Sequence, residues 1–378
     1  MNKKFLLWEA IATLVGTIIG AGILGIPYVI AQAGFWTGIF DIVLLGIVVL
    51  VIYLYLGEVV LRTKGVHQLP GYAEKYLGKT GKRLMVFSMI FGNYGALIAY
   101  IIGEGLALAA IFGGEPLTYS LIFFIIVSVI VYSGLKAVGE SELIMLPMVI
   151  TVIFVISVLS FGYANLGNYI TFDIAKILVP YGVILFAFLG AAAVPEMEQE
   201  LVKNRKLMKK AIIIGVMIPI ISYLLFAFAV VGVSGHATTE VATIGLGREI
   251  GGYMIIIGNL LAVLTMSTSF LTLGLALKQT YNYDYKLNET LSWALTVFIP
   301  LVIAVSGLTT FIQIIAISGV IAGGIEGVLI VLMSIRAKKM GDRKPEYTIK
   351  MNWLIAAVLI ALFVTGAVYL LLNVLGIV

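Results

Sequence analysis

The chain has no cysteine and only two histidines among its 378 residues. Without cysteine there is no disulfide framework, no thiolate metal site and no cysteine nucleophile. The histidines, His67 and His236, fall in expected loops on opposite sides and are assigned no role. Charge is equally sparse: 11% of residues are Asp, Glu, Lys or Arg, against about 25% in a soluble domain. Apolar residues make up 61% of the chain, and the mean hydropathy is +1.13. A soluble fold of this length cannot hide that much apolar surface. A water-soluble enzyme and a nucleic-acid-binding domain are therefore excluded. The net charge of +5 does not restore the second, because the basic residues sort by membrane side. A membrane enzyme would need a cluster of His, Asp or Lys at membrane depth, and the sequence offers none. The expectation is an all-α integral membrane protein with the lipid bilayer as its solvent.

A helix needs about 20 mostly apolar residues to cross a bilayer. Eleven such runs are expected: 5–34, 37–62, 83–112, 118–135, 142–163, 175–200, 209–234, 251–278, 290–307, 309–335 and 352–376. They are continuous rather than alternating, which argues against a β-barrel. The start Met1-Asn2-Lys3-Lys4 resembles a signal peptide, but Trp8 and Glu9 interrupt the run, which continues to about residue 34. It reads as a retained span. With the N-terminus in the cytoplasm, 22 of the 24 Lys and Arg fall on the cytoplasmic side, and only Lys176 and Arg248 fall outside. The positive-inside rule then predicts a multi-pass protein of the cell membrane, N-terminus in and C-terminus out. Trp36, Tyr119, Tyr169, Tyr281, Trp293 and Trp353 lie near span ends, as an aromatic belt requires. The stretch from Lys64 to Arg83 has room for a short surface helix. The segment 234–251 is the only sizeable outer loop expected, and it can fold as a cover.

Glycine and proline are concentrated where a spanning helix should avoid them. Span 1 reads Gly16-Thr17-Ile18-Ile19-Gly20-Ala21-Gly22-Ile23-Leu24-Gly25-Ile26-Pro27, and span 6 carries Gly190 and Pro195 near its middle. In a helix interior Gly costs about 1 kcal/mol and Pro about 3 kcal/mol relative to Ala. Pro27 also removes a donor and crowds the Ile23 carbonyl. Spans 1–5 (5–163) and spans 6–10 (175–335) are blocks of nearly equal length, with 352–376 as an extra helix. Five is odd, so the second block is inverted relative to the first. Paired interrupted spans in an inverted repeat point to a secondary transporter's binding site. The competing account is that Gly16-x-x-x-Gly20 is a small-residue packing motif. A broken helix exposes N–H groups that attract a carboxylate and C=O groups that attract an ammonium or metal cation. Such backbone is tolerable in a bilayer only around an internal cavity. The side chains expected there (Ala21, Ile23, Phe188, Ala191, Ala192, Ala193) are uncharged, so a charged substrate side chain finds no partner.

At these residues the chain resembles amino acid permeases of the amino acid/polyamine/organocation superfamily, most closely the amino acid/auxin permease branch. The resemblance rests on Gly20-Ala21-Gly22-Ile23-Leu24-Gly25-Ile26-Pro27-Tyr28 with Ala31-Gln32-Ala33-Gly34. Span 6 adds Phe186-Ala187-Phe188-Leu189-Gly190 with Val194-Pro195-Glu196. It implies a LeuT-type fold with a 5+5 inverted repeat and alternating access. It also implies that Gly20, Ala21, Gly22 and Ile23 bind the substrate backbone with Phe188, Gly190 and Ala191. The chain departs from the pattern twice. Many relatives outside the branch have Glu where Ala192 stands, and sodium-coupled relatives within it often have Asn where Gly16 stands.

Ionisable and hydroxylic residues inside spans supply coupling candidates. In span 8, Thr265, Thr268, Ser269 and Thr272 share a face at about 100° per residue. In a LeuT-type fold this face meets span 1, where a sodium ion can sit. The Thr268 and Ser269 hydroxyls with the Gly16 and Ile19 carbonyls would suit a hard cation. Equally, Ser and Thr serve helix packing in membranes. In span 3, Asn93, Tyr100 and Glu104 share a face, and Tyr100 can either close over a substrate or simply pack. Glu104, Glu58 and Glu326 are ionisable groups within spans and proton-carrier candidates. Arg62 stands at i+4 to Glu58, whereas Glu326 is isolated. Glu196, Glu198 and Glu200 adjoin the basic run from Lys203 to Lys210, which suggests a salt-bridged inner gate.

The reading is a secondary active transporter importing amino acids, neutral or hydrophobic ones, coupled to Na+ or H+, with no other cofactor. An uncoupled exchanger or a binding-only sensor of the same fold stays open. A channel is disfavoured because no separate filter segment is visible. Oligomeric state is not encoded in any feature recognised here.

Overall fold

The computed structural model describes residues 3–134 and 138–375. Met1, Asn2, Lys136 and the ends of the expected fourth and eleventh spans lie outside them. The described residues form an all-helical bundle. Seven of its helices are long and apolar enough to cross a membrane, and a bent pair supplies an eighth crossing.

That pair is α1 (Lys3–Ile18) and α2 (Gly22–Ala33), which meet at 54°. Next come α3 (Phe35–Arg62) and α4 (Leu69–Phe112). α4 is two helices in one: Gly78 has φ +76° and ψ −168°, a conformation that favours glycine, and it turns the chain from a surface helix into the third span. α5 (Pro116–Ser133) and α6 (Val138–Phe161) follow. The sixth run is the second broken one, α7 (Tyr181–Ala187) and α8 (Ala193–Glu200). After α9 (Met208–Ser234), the short α10 (Ala242–Ile250) lies as a cover against α11 (Tyr253–Gln279), α9 and α2. α12 (Glu289–Val305) leads to α13 (Phe311–Ser318) and α14 (Gly324–Met340), joined by a π-turn at Gly319–Gly323. α15 (Trp353–Val374) stands at the periphery, packed chiefly on α14 and mostly exposed.

The breaks lie upstream of both prolines. α1 ends at Ile18, while Pro27 sits inside α2. Pro195 is in the first turn of α8, where its missing N–H would have had no intrahelical acceptor. The chain unwinds at Ile19–Ala21 and at Phe188–Ala192.

Three further expectations are corrected. Segment 234–251 is not the only sizeable loop at its end of the bundle: 162–180, whose Asn165 amide donates to the Gly232 carbonyl, carries the 3-10 turns Leu166–Tyr169 and Ile174–Lys176. It docks on the start of α3, where the Thr171 hydroxyl and carbonyl accept from the Phe35 and Trp36 amides. The aromatic belt is thinner than expected. Trp36 and Trp353 are exposed, but Tyr169 is buried, stacked on Phe228 and donating to the Phe228 carbonyl. Tyr281 is bonded to Tyr94, and the Trp293 indole donates to the Ser128 carbonyl. In the proposed inner gate, Glu198 pairs with Arg205 at 2.5 Å, but Glu200 accepts from Thr13 of α1 at 2.6 Å instead of joining the basic run.

Glu58 does pair with Arg62, at 2.8 Å, and also accepts from the Ile349 amide. That second bond belongs to a strap, 341–352, which folds back over the end of α3. The Arg62 carbonyl accepts the Asp342 and Arg343 amides, and the Tyr347 hydroxyl donates to the Leu54 carbonyl. The Asp342 carboxylate receives the Lys64 amide and the Lys75 ammonium. These donors, the Lys64 amide foremost, hold its carboxyl below the ordinary 3.8.

Candidate functional site

The unwound segments leave backbone groups that the bundle answers with two tyrosines. Fully buried Tyr223 of α9 reaches both breaks: its hydroxyl is 3.0 Å from the Ile18 carbonyl and 2.6 Å from the Ala187 carbonyl. Tyr53 of α3 donates to the Phe188 carbonyl at 2.6 Å. The amides of Ala21, Gly22 and Ile23, at the start of α2, have no backbone acceptor among the described residues. They form the electropositive end of a twelve-residue helix.

These groups surround a cavity of about 130 Å³. Gly20, Ala21 and Gly22 line it from the first break, and Gly190, Ala191 and Ala192 from the second. α4 lines it from Tyr100 to Ser88, a distance of about 18 Å along the helix. The Tyr100 hydroxyl and Ser269 Oγ converge on Gly20, where an added Cβ would lie 3.6 and 3.5 Å from them. At Gly22 there is no such room, because a Cβ would fall 2.6 Å from Ala187 Cα. At Gly190 it would fall 2.6 Å from Ile18 Cγ1. The two breaks are thus packed closely, against the Ala187 backbone at Gly22 and the Ile18 side chain at Gly190, and Gly20 is the glycine that faces the free space.

On one side the cavity is sealed. Ile23, Val183, Phe311 and Ile312 are buried, and Gly25 fits between Val183 and Ile312 only because it has no side chain. On the side where α1 approaches the break, exposed Thr17 lines the cavity.

Of the residues expected to hold substrate, Gly20, Ala21, Gly22, Tyr100, Gly190 and Ala191 line the cavity. Ile23 and Phe188 do not. Ile23 is packed in the seal, and the Phe188 ring lies behind the break, 5.1 Å from the Tyr223 ring. Among the coupling candidates, the Thr265 hydroxyl donates to the Leu261 and Ala262 carbonyls of its own helix, and Thr268 does the same to Leu264 and Thr265. Ile19 is buried in the first break, and a Cβ at Gly16 would meet open space. Of these three hydroxyls, Ser269 is the one that reaches the break.

Glu104 shares a helix face with Tyr100 but lies about 6 Å further along the axis. It does not line the cavity. It is fully buried against α11, where Ser267 donates to one carboxyl oxygen at 2.6 Å and the other oxygen has no partner. Glu326 behaves oppositely. It lines the cavity with Asn93, so the site does contain an ionisable side chain, contrary to the uncharged pocket expected from the breaks alone. Tyr53 and Tyr223 escaped sequence reasoning altogether, because nothing near them sets them apart from other tyrosines in apolar spans.

The comparisons with known proteins agree with this architecture. A solved structure of MhsT in complex with L-phenylalanine superposes with a TM-score of 0.66 over 95% of this chain and 98% of that one, at 16% identity. That establishes a LeuT-type fold. A curated relative, glutamine transporter 2 of Aliivibrio fischeri, is 24% identical over 84% of this chain and 86% of its own length. Another, tyrosine-specific transport system 1 of Haemophilus influenzae, is 27% identical over 69% of each. These are transporters rather than enzymes. The model of the tryptophan/tyrosine permease family matches residues 3–370, and the chain belongs to that family.

Proposed function

We propose that the protein is a secondary active transporter that imports an amino acid across the cell membrane by alternating access. The observation that carries this reading is the pair of breaks around one cavity, with three unpartnered amides at the start of α2 aimed where a substrate carboxylate would dock. The substrate's ammonium would face the unwound carbonyls of the same segments. In this reading the chain crosses the membrane eleven times, with the N-terminus in the cytoplasm and the C-terminus outside. Blocks 5–163 and 175–335 are inverted repeats and 352–376 an added helix, the plan of the amino acid/auxin permease branch. The sealed side then faces out and the Thr17 side faces the cytoplasm, so the conformation is inward-facing.

For the substrate, the family name and the two relatives point to tryptophan, tyrosine or glutamine. Each has a neutral side chain that carries an N–H or O–H donor. For coupling, Glu104 favours a proton over sodium, because a buried carboxyl with one oxygen unpartnered is a natural place to hold one. The sodium alternative uses Gly16, Ile19, Thr268 and Ser269, with Thr265 behind them.

The test is uptake into proteoliposomes from an amino-acid panel under separately imposed sodium and proton gradients. Saturable uptake of these amino acids driven by a proton gradient is the expected result. Flux that neither gradient drives would replace coupled transport by exchange, and binding without flux would replace it by a sensor.

A further inference from the structure

The reading above leaves one cavity-lining pair without a task. Glu326 stands in the first turn of α14 and Asn93 midway along the cavity wall of α4. Neither side chain makes a hydrogen bond or ion pair within the described residues, whereas Glu58, Glu104 and Glu200 each accept at least one donor. Nearby polar groups are already used: Ser88 donates to the Ala322 carbonyl, and Tyr53 donates to the Phe188 carbonyl. The Ser88–Ala322 bond also fixes where Glu326 lies. It ties Ala322, in the π-turn one helical turn before Glu326, to the end of the cavity away from Tyr100, and because Gly95 packs on Ser318 the chain runs on from there away from Tyr100, Ser269 and Gly20. The cavity therefore has one polar end at Gly20, Tyr100 and Ser269 and another at Glu326, with Asn93 on the α4 wall between them beside apolar Met89, Ala96, Phe186 and Leu273. Backbone amides occupy one end and a carboxylate the other, with a carboxamide on the wall between.

The geometry points to a side-chain recognition subsite: we propose that Glu326 and Asn93 accept a hydrogen bond from a donor on an otherwise neutral substrate side chain. A phenol O–H, an indole N–H or a carboxamide N–H qualifies, and a purely hydrocarbon side chain does not. The proposal rests on the transport reading above and deepens it. The chemistry is asymmetric. An ionised carboxylate only accepts, so a substrate with a donor satisfies it directly, whereas one without a donor leaves it to the water the cavity holds. A pocket of hydrocarbon walls discriminates weakly against an added hydroxyl, whereas a site that binds a hydroxyl rejects the analogue lacking it strongly. Glu326 thus acts as a specificity-determining residue. It also supplies the cavity with the carboxylate that Ala192 does not.

L-Tyrosine and L-phenylalanine differ by one hydroxyl and are the natural probes. Displacement of labelled L-tyrosine by each is measured on the full chain in lipid nanodiscs. The wild type should prefer L-tyrosine by about tenfold or more, the worth of one hydrogen bond to a charged acceptor. Glu326→Leu should bring the two within about threefold by weakening tyrosine, with phenylalanine binding retained. Glu326→Gln keeps an acceptor oxygen and should retain most of the preference. Asn93→Leu provides a second variant, with a smaller loss in the same direction, should Glu326→Leu not fold. An unchanged ratio in folded Glu326→Leu and Asn93→Leu overturns the proposal. So does a folded Glu326→Leu that binds neither ligand, since Glu326 would then hold the part common to both. If the wild type binds no amino acid at all, the transport reading itself has failed, which is a different result.

Discussion

Removing one hydroxyl tests whether the two breaks are held as a unit. Tyr223→Phe keeps the buried ring and its packing against Phe188, and deletes only the group that lies 3.0 Å from the Ile18 carbonyl and 2.6 Å from the Ala187 carbonyl. A buried acceptor stripped of its donor costs about 1–3 kcal/mol. A hydroxyl has one proton, so the two contacts are not two full hydrogen bonds. The expected loss is one such cost and not twice it. Ile18 and Ala187 also line the cavity, where water can reach them. That moves the expectation toward the lower end, about 1–2 kcal/mol, or roughly 5- to 30-fold in the unfolding equilibrium. The assay is reversible unfolding in mixed detergent micelles, read by tryptophan fluorescence, with uptake measured in parallel. Tyr53→Phe is the control, since it removes a single bond to the Phe188 carbonyl at the second break only. Both variants should be destabilised, but Tyr223→Phe should also lose more uptake, because it loosens both segments that frame the cavity. A Tyr223→Phe protein with wild-type stability and wild-type uptake would refute the view that this hydroxyl organises the site.

The glycines of the first break should separate fold from function. Gly20→Ala places its methyl at ordinary contact distance from Ser269 and Tyr100, so it should fold normally and lose uptake; Gly22→Ala drives a methyl into the Ala187 backbone and should cost about 1–3 kcal/mol of stability in the same unfolding assay. Glu104→Gln keeps an oxygen for the Ser267 donor, so it should fold and bind substrate, but uptake should no longer respond to an imposed proton gradient. The Asp342 carboxyl is held below 3.8 by the Lys64 amide and Lys75, so its contribution to the strap is present above that pH and is lost as pH falls through the lower folded value. Hydrogen exchange in 341–352 should therefore rise on acidification below 3.8, and Asp342→Asn should remove that step.

What the sequence disclosed follows from how local each signal is. A glycine-rich stretch inside an apolar run is a local conflict with helix propensity, and the two unwound segments fall within four residues of Gly20 and Gly190. The prolines misled because neither lies in an unwound segment. Pro195 sits in a first turn, and α2 carries Pro27 on a face packed into the core. The Glu58–Arg62 pair was legible for the same reason, since both partners lie on one helix four residues apart. Tyr53 and Tyr223 had no local signature, and Glu326, visible as an ionisable group in an apolar run, gave no sign that it faces the cavity. Their roles arise from long-range contacts: Tyr53 lies 135 residues from Phe188, Tyr223 lies 205 residues from Ile18 and 36 from Ala187, and Glu326 depends on the approach of α14 to α4.

That division bears on how the site evolved its chemistry within a fixed frame. The backbone features, breaks and close glycine contacts, set the position of a generic amino-acid head group, and a side chain at Gly22 or Gly190 would collide with Ala187 or Ile18. Discrimination has to come from elements that contact the cavity by side chain alone. α4 and α14 are such elements: both are unbroken where they face the cavity, and they offer Asn93, Tyr100 and Glu326 from rigid helix surfaces. Helix surfaces hold side chains to tighter geometry than loops do, which hydrogen-bond selection needs. A change of substrate is therefore easier to obtain by substitution on α4 and α14 than at the breaks. Exchanging Glu326 or Asn93 should alter preference among amino acids, whereas exchanging Gly22 or Gly190 should abolish binding of all of them.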